Sequence, residues 1–215
     1  MHYLGLPTAH HDAIDVSNYN SRVYECIVKN GYSTIVDAFS GGGRDIAHFR
    51  NVLQGKGSFV AIDCDTVRIS DMLQKPNFVE VKNSDELAAV FDRSDIAVVQ
   101  GNFPDKPFGN TGVDLKGQVD LVYCNAGIMF IKPQDLRPTL QFMKAMIKPS
   151  GQMILRYSLE REDKKDALGK SYFVHAPELV TEILQEGGFT VERKEDLPDS
   201  TGRNFKWLDL NVVKV

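Results

Sequence analysis

Three consecutive glycines, Gly41-Gly42-Gly43, follow the apolar run that ends at Phe39 and precede a helical pattern that opens near Arg44. A strand that turns over glycines into a helix lets the backbone approach a ligand closely. It also offers the unpaired N–H groups of the helix N-terminus to a phosphate or carboxylate. Asp37 stands at the strand end, Ser40 lies inside the turn, and Arg44 is placed to pair with an anionic group of the ligand. The next β-rich run ends in Asp63, 26 residues after Asp37. A carboxylate there can accept hydrogen bonds from both hydroxyls of a ribose, which suits an adenosine with a free 2′-hydroxyl and disfavours a 2′-phosphate. Taken singly, the glycines fit a plain strand-to-helix connection. Asp63 alone fits a helix cap, a role for which Asp65 competes. Taken together, they point to an adenosine-type cofactor.

The elements that must hold these residues are legible from periodicity. Residues 1–17 read as an irregular arm, and Ser17 can cap a helix over 18–30 that stops at Gly31. Strand candidates follow at 33–39, 58–63, 96–100, 119–124 and 152–158, with a short one at 77–81. Helical patterns fall at 44–54, 65–74, 84–93, 136–147 and 177–187, the last with Pro177 in its first turn and Gly187-Gly188 at its end. The early strands are nearly continuous apolar runs that alternate with helices, the mark of a parallel sheet covered on both faces. The runs at 189–196 and 204–215 have no helix between them, so they must pair as a hairpin or lie as neighbours at the sheet edge. The expectation is a doubly wound α/β domain spanning 1–215, with an N-terminal arm and helix over 1–33 and a core over 34–215. Its sheet is seven-stranded and mostly parallel, with an antiparallel last strand and helices on both faces.

Composition narrows the function classes. The chain has 215 residues, 42% hydrophobic and 25% charged, as a globular domain with one sizeable core requires. Nothing approaches the ~20 apolar residues of a membrane span, and the first residues show no secretory pattern. A net charge of −4 gives no general attraction to nucleic acid. Cys26, Cys64 and Cys124 are odd in number and widely spaced, so reduced thiols in a cytoplasmic protein are expected, and no His/Cys/Asp spacing predicts a metal. The dense mixed-charge run over 160–166 reads as a solvated surface.

With these motifs in order, the chain from about Thr34 to Val215 resembles the class I S-adenosylmethionine-dependent methyltransferases, of small-molecule type. The first motif of that family, (V/I)-(V/L)-D-x-G-x-G-x-G, is matched by Ile35-Val36-Asp37-Ala38-Phe39-Ser40-Gly41-Gly42-Gly43, and its acidic second-strand end by Asp63. Gly101-Asn102-Phe103, Val119-Asp120-Leu121-Val122 and Ile147-Lys148-Pro149-Ser150-Gly151 match later motifs. The resemblance implies a Rossmann-like fold and an enzyme that moves a methyl group from S-adenosylmethionine to a small-molecule acceptor. It assigns cofactor contacts to Asp37, Ser40, Gly41, Gly43, Arg44, Asp63, Asn102, Phe103 and Asn125. Two departures stand out: Phe39 occupies the place of the first glycine, and Asn102 that of an acidic residue, although an amide oxygen still accepts a hydrogen bond.

In-line methyl displacement needs positioning first, and a base only where the acceptor loses a proton. Candidates therefore lie where loops cross the carboxyl edge of the sheet: Asn125, Tyr157 and His175 as catalytic groups, with Arg156 and Tyr172 beside them. Tyr19 and Tyr24 resemble arm residues that close over the cofactor, and His10-His11 lie in the arm. Ile128, Met129 and Phe130 read as an apolar acceptor wall, and 159–176 as a lid. Three alternatives stay open. Asn125-Ala126-Gly127 is similar to a segment of short-chain NAD-dependent dehydrogenases, whose glycine pattern and Tyr-xxx-Lys pair are missing. A nucleic-acid methyltransferase would normally carry (N/D)-P-P-(Y/F) here to receive a flipped base. An inactive interaction module on the same fold is the third.

Overall fold

The computed structural model describes residues 21–159, 171–197 and 206–214. Ser17, Tyr19, His10, His11 and the charged run over 160–166 lie outside the described residues. The described chain runs α1 (Ser21–Asn30), β1 (Thr34–Ala38), α2 (Arg44–Val52), β2 (Ser58–Asp63), α3 (Thr66–Leu73), β3 (Phe78–Glu80), α4 (Ser84–Asp92), β4 (Ile96–Gln100) and β5 (Val119–Asn125). A 3₁₀ turn over Ile128–Phe130 then leads to α5 (Pro133–Met146), β6 (Ile147–Ser158), α6 (Pro177–Gln185), β7 (Phe189–Leu197) and β8 (Trp207–Lys214).

All eight strands form one sheet, in the order β3-β4-β2-β1-β5-β6-β8-β7. The doubly wound, mostly parallel arrangement is the expected one. The sheet has eight strands rather than seven, because the three-residue β3 adds a parallel partner to β4 at the edge. β8 enters between β6 and β7 and runs antiparallel to both, so it is the one reversed strand.

Alternation along the strands explains why their sequences are apolar throughout. Ile35, Phe59, Ala61, Val98 and Tyr123 face a core closed by Val23 and Ile27 of α1, Ile46 and Phe49 of α2, and Ile69 and Met72 of α3. Val36, Val60, Val99 and Val122 face a second core closed by α4, α5 and α6 through Leu87, Leu140 and Ile183. Each central strand is thus buried on both faces.

β6 begins earlier than its apolar run indicates, at Ile147, and its pairing with β5 shifts register between Val119 and Leu121. The cause is polar. The Asp120 carboxylate accepts from the backbone N–H groups of Ser33 (3.1 Å) and Thr34 (2.8 Å) and pairs with the Lys148 ammonium. Those contacts hold its pKa down against the opposing effect of burial.

Candidate functional site

The glycine turn sits at the carboxyl ends of β1 and β2, where open parallel sheets bind ligands. Ser40 N–H donates to the Ile62 carbonyl (3.0 Å), and Gly43 N–H to the Ser40 carbonyl (2.9 Å), which closes the turn. Gly43 caps α2 in the left-handed conformation, φ 74°. A Cβ on it would come within 2.6 Å of the Phe78 ring and 2.9 Å of the Met72 sulfur, so any other residue would strain the backbone and push both side chains aside. The Asp63 carboxylate clasps the turn from the neighbouring strand: Oδ2 accepts from Gly41 N–H at 2.7 Å and Oδ1 from Asp65 N–H at 2.9 Å. Asp65 caps α3, accepting from Val67 and Arg68 N–H, so Asp63 is not needed for that role.

Beside β2, Gly101 N–H donates to the Asp63 carbonyl (2.9 Å), bringing the segment after β4 to the same edge. There Asn102 is exposed and exchanges two backbone hydrogen bonds with Lys106, both 2.8 Å. Phe103 is buried and its ring meets the half-buried Phe39 ring at 4.7 Å between centroids. Phe39 keeps a left-handed backbone, φ 62°, although it is not glycine, and Ala126 at the end of the adjacent β5 does the same at φ 63°. The Phe39 side chain lies flat against Gly127, where an added Cβ would come within 2.5 Å of its Cβ, Cγ and Cδ2.

Beneath the turn lies a charged cluster. Asp37 is 3% exposed and Asp45, in the first turn of α2, is 6% exposed. Asp45 Oδ1 accepts from Arg44 Nε (2.7 Å), and Oδ2 accepts from Asn125 Nδ2 (3.1 Å). Burial, and then the charge of Asp45, raise the Asp37 carboxyl well above the ordinary carboxylate range. Burial likewise pushes the Cys124 thiol up to about 12, so it stays protonated.

The expected residues divide accordingly. Asp37, Ser40, Gly41, Gly43, Arg44, Asp63, Phe103 and Asn125 come together at one edge, with Asn102 at its rim. Arg44 is turned to Asp45. Two catalytic candidates stand elsewhere. Tyr157 is fully buried, because the two-residue period of β6 places it with Met153 and Leu155 in the α5–α6 core. His175 is 3% exposed, with Nε2 3.0 Å from the Ile128 carbonyl, and burial lowers its pKa. Phe173 N–H donates to the Met129 carbonyl (2.8 Å), so segment 171–176 is stitched onto the turn after β5. The expected apolar wall is altered for the same reason: Ile128 and Met129 are core residues, and Phe130, half-buried, meets the Tyr172 ring at 5.0 Å. Tyr24 packs on His48 (4.3 Å between centroids) and Phe49, against α2. Sequence reasoning missed Asp45 and Gly127. An acidic residue in the first turn reads as a helix-dipole partner, and no local signal marks Gly127 as the seat of Phe39.

Among the described residues, no group of three or more His, Cys, Asp or Glu side chains could hold a metal ion, and no helix is long and apolar enough to cross a membrane.

No protein-family model matches the chain, and no curated protein matches it in sequence. Its fold is shared with many solved structures. One is the Burkholderia thailandensis 1,6-didemethyltoxoflavin-N1-methyltransferase with bound 1,6-didemethyltoxoflavin and S-adenosylhomocysteine: TM-score 0.59 at 17% identity, over 97% of this chain and 84% of that one. A second is the magnesium protoporphyrin IX methyltransferase of Synechocystis with bound S-adenosylmethionine: TM-score 0.59 at 15% identity, over 93% and 79%. A third is a glycopeptide N-methyltransferase complexed with S-adenosylhomocysteine: TM-score 0.59 at 16% identity, over 94% and 91%. The fold is that of solved S-adenosylmethionine-dependent methyltransferases.

Proposed function

We propose that this protein transfers the methyl group of S-adenosylmethionine to a small-molecule acceptor. The observation that carries the reading is the Asp63–Gly41 clasp at the carboxyl edge of a sheet with this strand order. An NAD-binding doubly wound sheet is built from two parallel halves in the order 3-2-1-4-5-6. The antiparallel β8 between β6 and β7 departs from that order and argues against the dehydrogenase.

The residues present fit the cofactor. Both Asp63 oxygens accept a backbone hydrogen bond at the turn, and a carboxylate oxygen can accept more than one, which suits ribose hydroxyls. Gly41–Gly43 would lie along the chain between ribose and amino acid, Phe103 and Asn102 at the base, and Asn125 with Asp37 at the amino-acid end. When bound, S-adenosylmethionine supplies a methyl group activated on a sulfonium. This chain's part is to hold donor and acceptor in line and exclude water, which can account for much of the acceleration. We assign contact with the reacting partners to Asn125, half-buried at the end of β5. Tyr157 and His175 act from the core and the 171–176 stitch, as supports for the acceptor side. Phe130, half-buried, offers aromatic surface to a compact organic acceptor, with the buried Tyr172 ring packed against it. The net charge of −4 supports a small acceptor over a phosphate backbone.

The test is transfer of labelled methyl from S-adenosylmethionine into a small-molecule extract, beside parallel reactions with tRNA and duplex DNA. Label in a low-molecular-weight product is expected. Label confined to nucleic acid, with binding that falls steeply in salt, would replace the small-molecule reading by the nucleic-acid one.

A further inference from the structure

A chain of hydrogen bonds runs through the glycine turn from one side to the other. The Lys75 ammonium donates to the Gly42 carbonyl at 2.8 Å. The N–H at the other end of that peptide, on Gly43, donates to the Ser40 carbonyl at 2.9 Å. The N–H of the Ser40–Gly41 peptide, on Gly41, donates to Asp63 Oδ2 at 2.7 Å. Two peptide units thus lie head to tail between a cation and a carboxylate. In such a chain each donor polarises the next acceptor, and a charge at either end strengthens the terminal bond.

One structural unit carries both charged ends. Asp63 closes β2, Asp65 caps α3, and Lys75 lies two residues beyond Leu73, where α3 stops. The eight residues of α3 place about 12 Å of helix between them. The Lys75 N–H returns to the Met72 carbonyl at 2.9 Å, and Pro76 directly after it restricts its backbone, so the side chain starts from a fixed point. Met72 forms the inner side of this clamp, and its sulfur accepts from Ser40 Oγ at 3.4 Å. The turn requires such a hold. Gly41 is left-handed, φ 57°, and a Cβ on it would meet nothing within 4 Å, so packing leaves it unpinned. The helix dipole by itself favours a cation just past the end of α3. A bond from that cation to the carbonyl of the middle glycine does more.

We propose that Lys75 is a positioning residue for the cofactor edge: its ammonium heads a hydrogen-bonded strut through the Gly42–Gly43 and Ser40–Gly41 peptides that holds the turn in one conformation and Asp63 Oδ2 in place for the ligand. Lys75 acts through the turn, not by touching the ligand. A turn ordered before binding spares the ligand the entropy cost of ordering three glycines. The ligand side of the inference rests on the reading that this edge takes S-adenosylmethionine. The strut itself belongs to the ligand-free protein.

The experiment compares wild type with Lys75→Met, which keeps the aliphatic stem and removes the donor, and with Lys75→Arg, which restores a cationic donor. The first readout is the Gly41 and Gly43 amides in the ligand-free protein, by nitrogen-15 NMR with hydrogen exchange. In Lys75→Met both amide protons are expected to move upfield and to exchange faster, Gly41 included, although it lies beyond the first peptide of the strut. Lys75→Arg is expected to return both toward wild type. The second readout is calorimetric titration with S-adenosylhomocysteine. Lys75→Met is expected to bind about 2–30-fold more weakly, the range for a residue that acts through a network, and Lys75→Arg to recover most of that loss. A lysine that merely anchors the end of α3 would leave the Gly41 amide unmoved, so an unmoved Gly41 in Lys75→Met overturns the proposal. Wild-type affinity in Lys75→Met overturns it as well. If Lys75→Met does not fold, Lys75→Gln, whose shorter side chain carries no charge, takes its place in both readouts. Absence of binding by wild type overturns the methyltransferase reading and the ligand side of this inference with it, while the amide readout still decides the strut.

Discussion

Replacing Gly127 by alanine tests the geometry of the site's floor. The new Cβ would lie 2.4 Å from Phe39 Cγ and Cδ2 and 2.5 Å from its Cβ, all inside van der Waals contact. Phe39 cannot simply swing away, because its ring packs on the buried Phe103 at 4.7 Å. Overpacking of this kind costs about 1–3 kcal/mol. Phe39→Gly removes the whole obstacle. It gives up a half-buried ring, worth about 1–1.5 kcal/mol, and relieves a left-handed backbone that costs roughly 1–2 kcal/mol, so its own net effect should lie within about 1 kcal/mol of zero. In that background Gly127→Ala should cost almost nothing. The assay is urea unfolding followed by fluorescence of Trp207, the chain's one tryptophan and a buried one. The midpoint should fall for Gly127→Ala with an unchanged slope. It should be restored in the double variant, giving a coupling of at least about 1 kcal/mol. An equal loss in both backgrounds would show that Phe39 does not occupy the space above Gly127.

Asp63→Ala should weaken S-adenosylhomocysteine binding by about 1.5–3 kcal/mol in a calorimetric titration, since a charged acceptor to the ribose is lost. The protein should still fold, because Asp65 caps α3. His175 has a folded-state pKa below its ordinary 6.5, so the unfolded chain binds the proton more readily. Stability is therefore whole above that value and falls as pH drops below it, toward the folded pKa. His175→Gln should flatten this acid-side loss in melting curves, and an unaltered slope would place the responsible group elsewhere. The Lys144 ammonium donates to the Ile183 carbonyl at 2.8 Å and to the Glu186 carbonyl, closing the end of α6. Lys144→Met keeps the aliphatic stem and should cost about 1–3 kcal/mol in urea unfolding.

The sheet and the Asp63–glycine edge were legible because their signals are local. Continuous apolar runs require strands covered on both faces, and three glycines between a strand and a helix require a turn of this type. Which face a strand-end residue takes was less accessible. Tyr157 adjoins Arg156 at the end of an apolar run, but only the register with β8 settles that it lies with Met153 and Leu155 in the core. The Asp45–Asn125 bond and the Phe39–Gly127 contact join residues about 80–90 positions apart, and such pairs leave no mark in local periodicity. Phe39 shows the effect in reverse. In the sequence it reads as a departure from a glycine pattern. In the fold it takes a left-handed backbone, and Gly127, far away in sequence, makes room for its ring.

The central claim is that this edge of the sheet binds S-adenosylmethionine rather than a nicotinamide dinucleotide. Thermal unfolding with S-adenosylhomocysteine, S-adenosylmethionine, NAD and NADP side by side tests it most directly. Ligand at about 100 times its dissociation constant adds about 2.7 kcal/mol, and about 2–4 °C per kcal/mol for a domain of this size makes a shift of roughly 5–11 °C. The account predicts that shift with S-adenosylhomocysteine and S-adenosylmethionine and none with NAD or NADP. A shift with NAD, and none with S-adenosylhomocysteine, would contradict it.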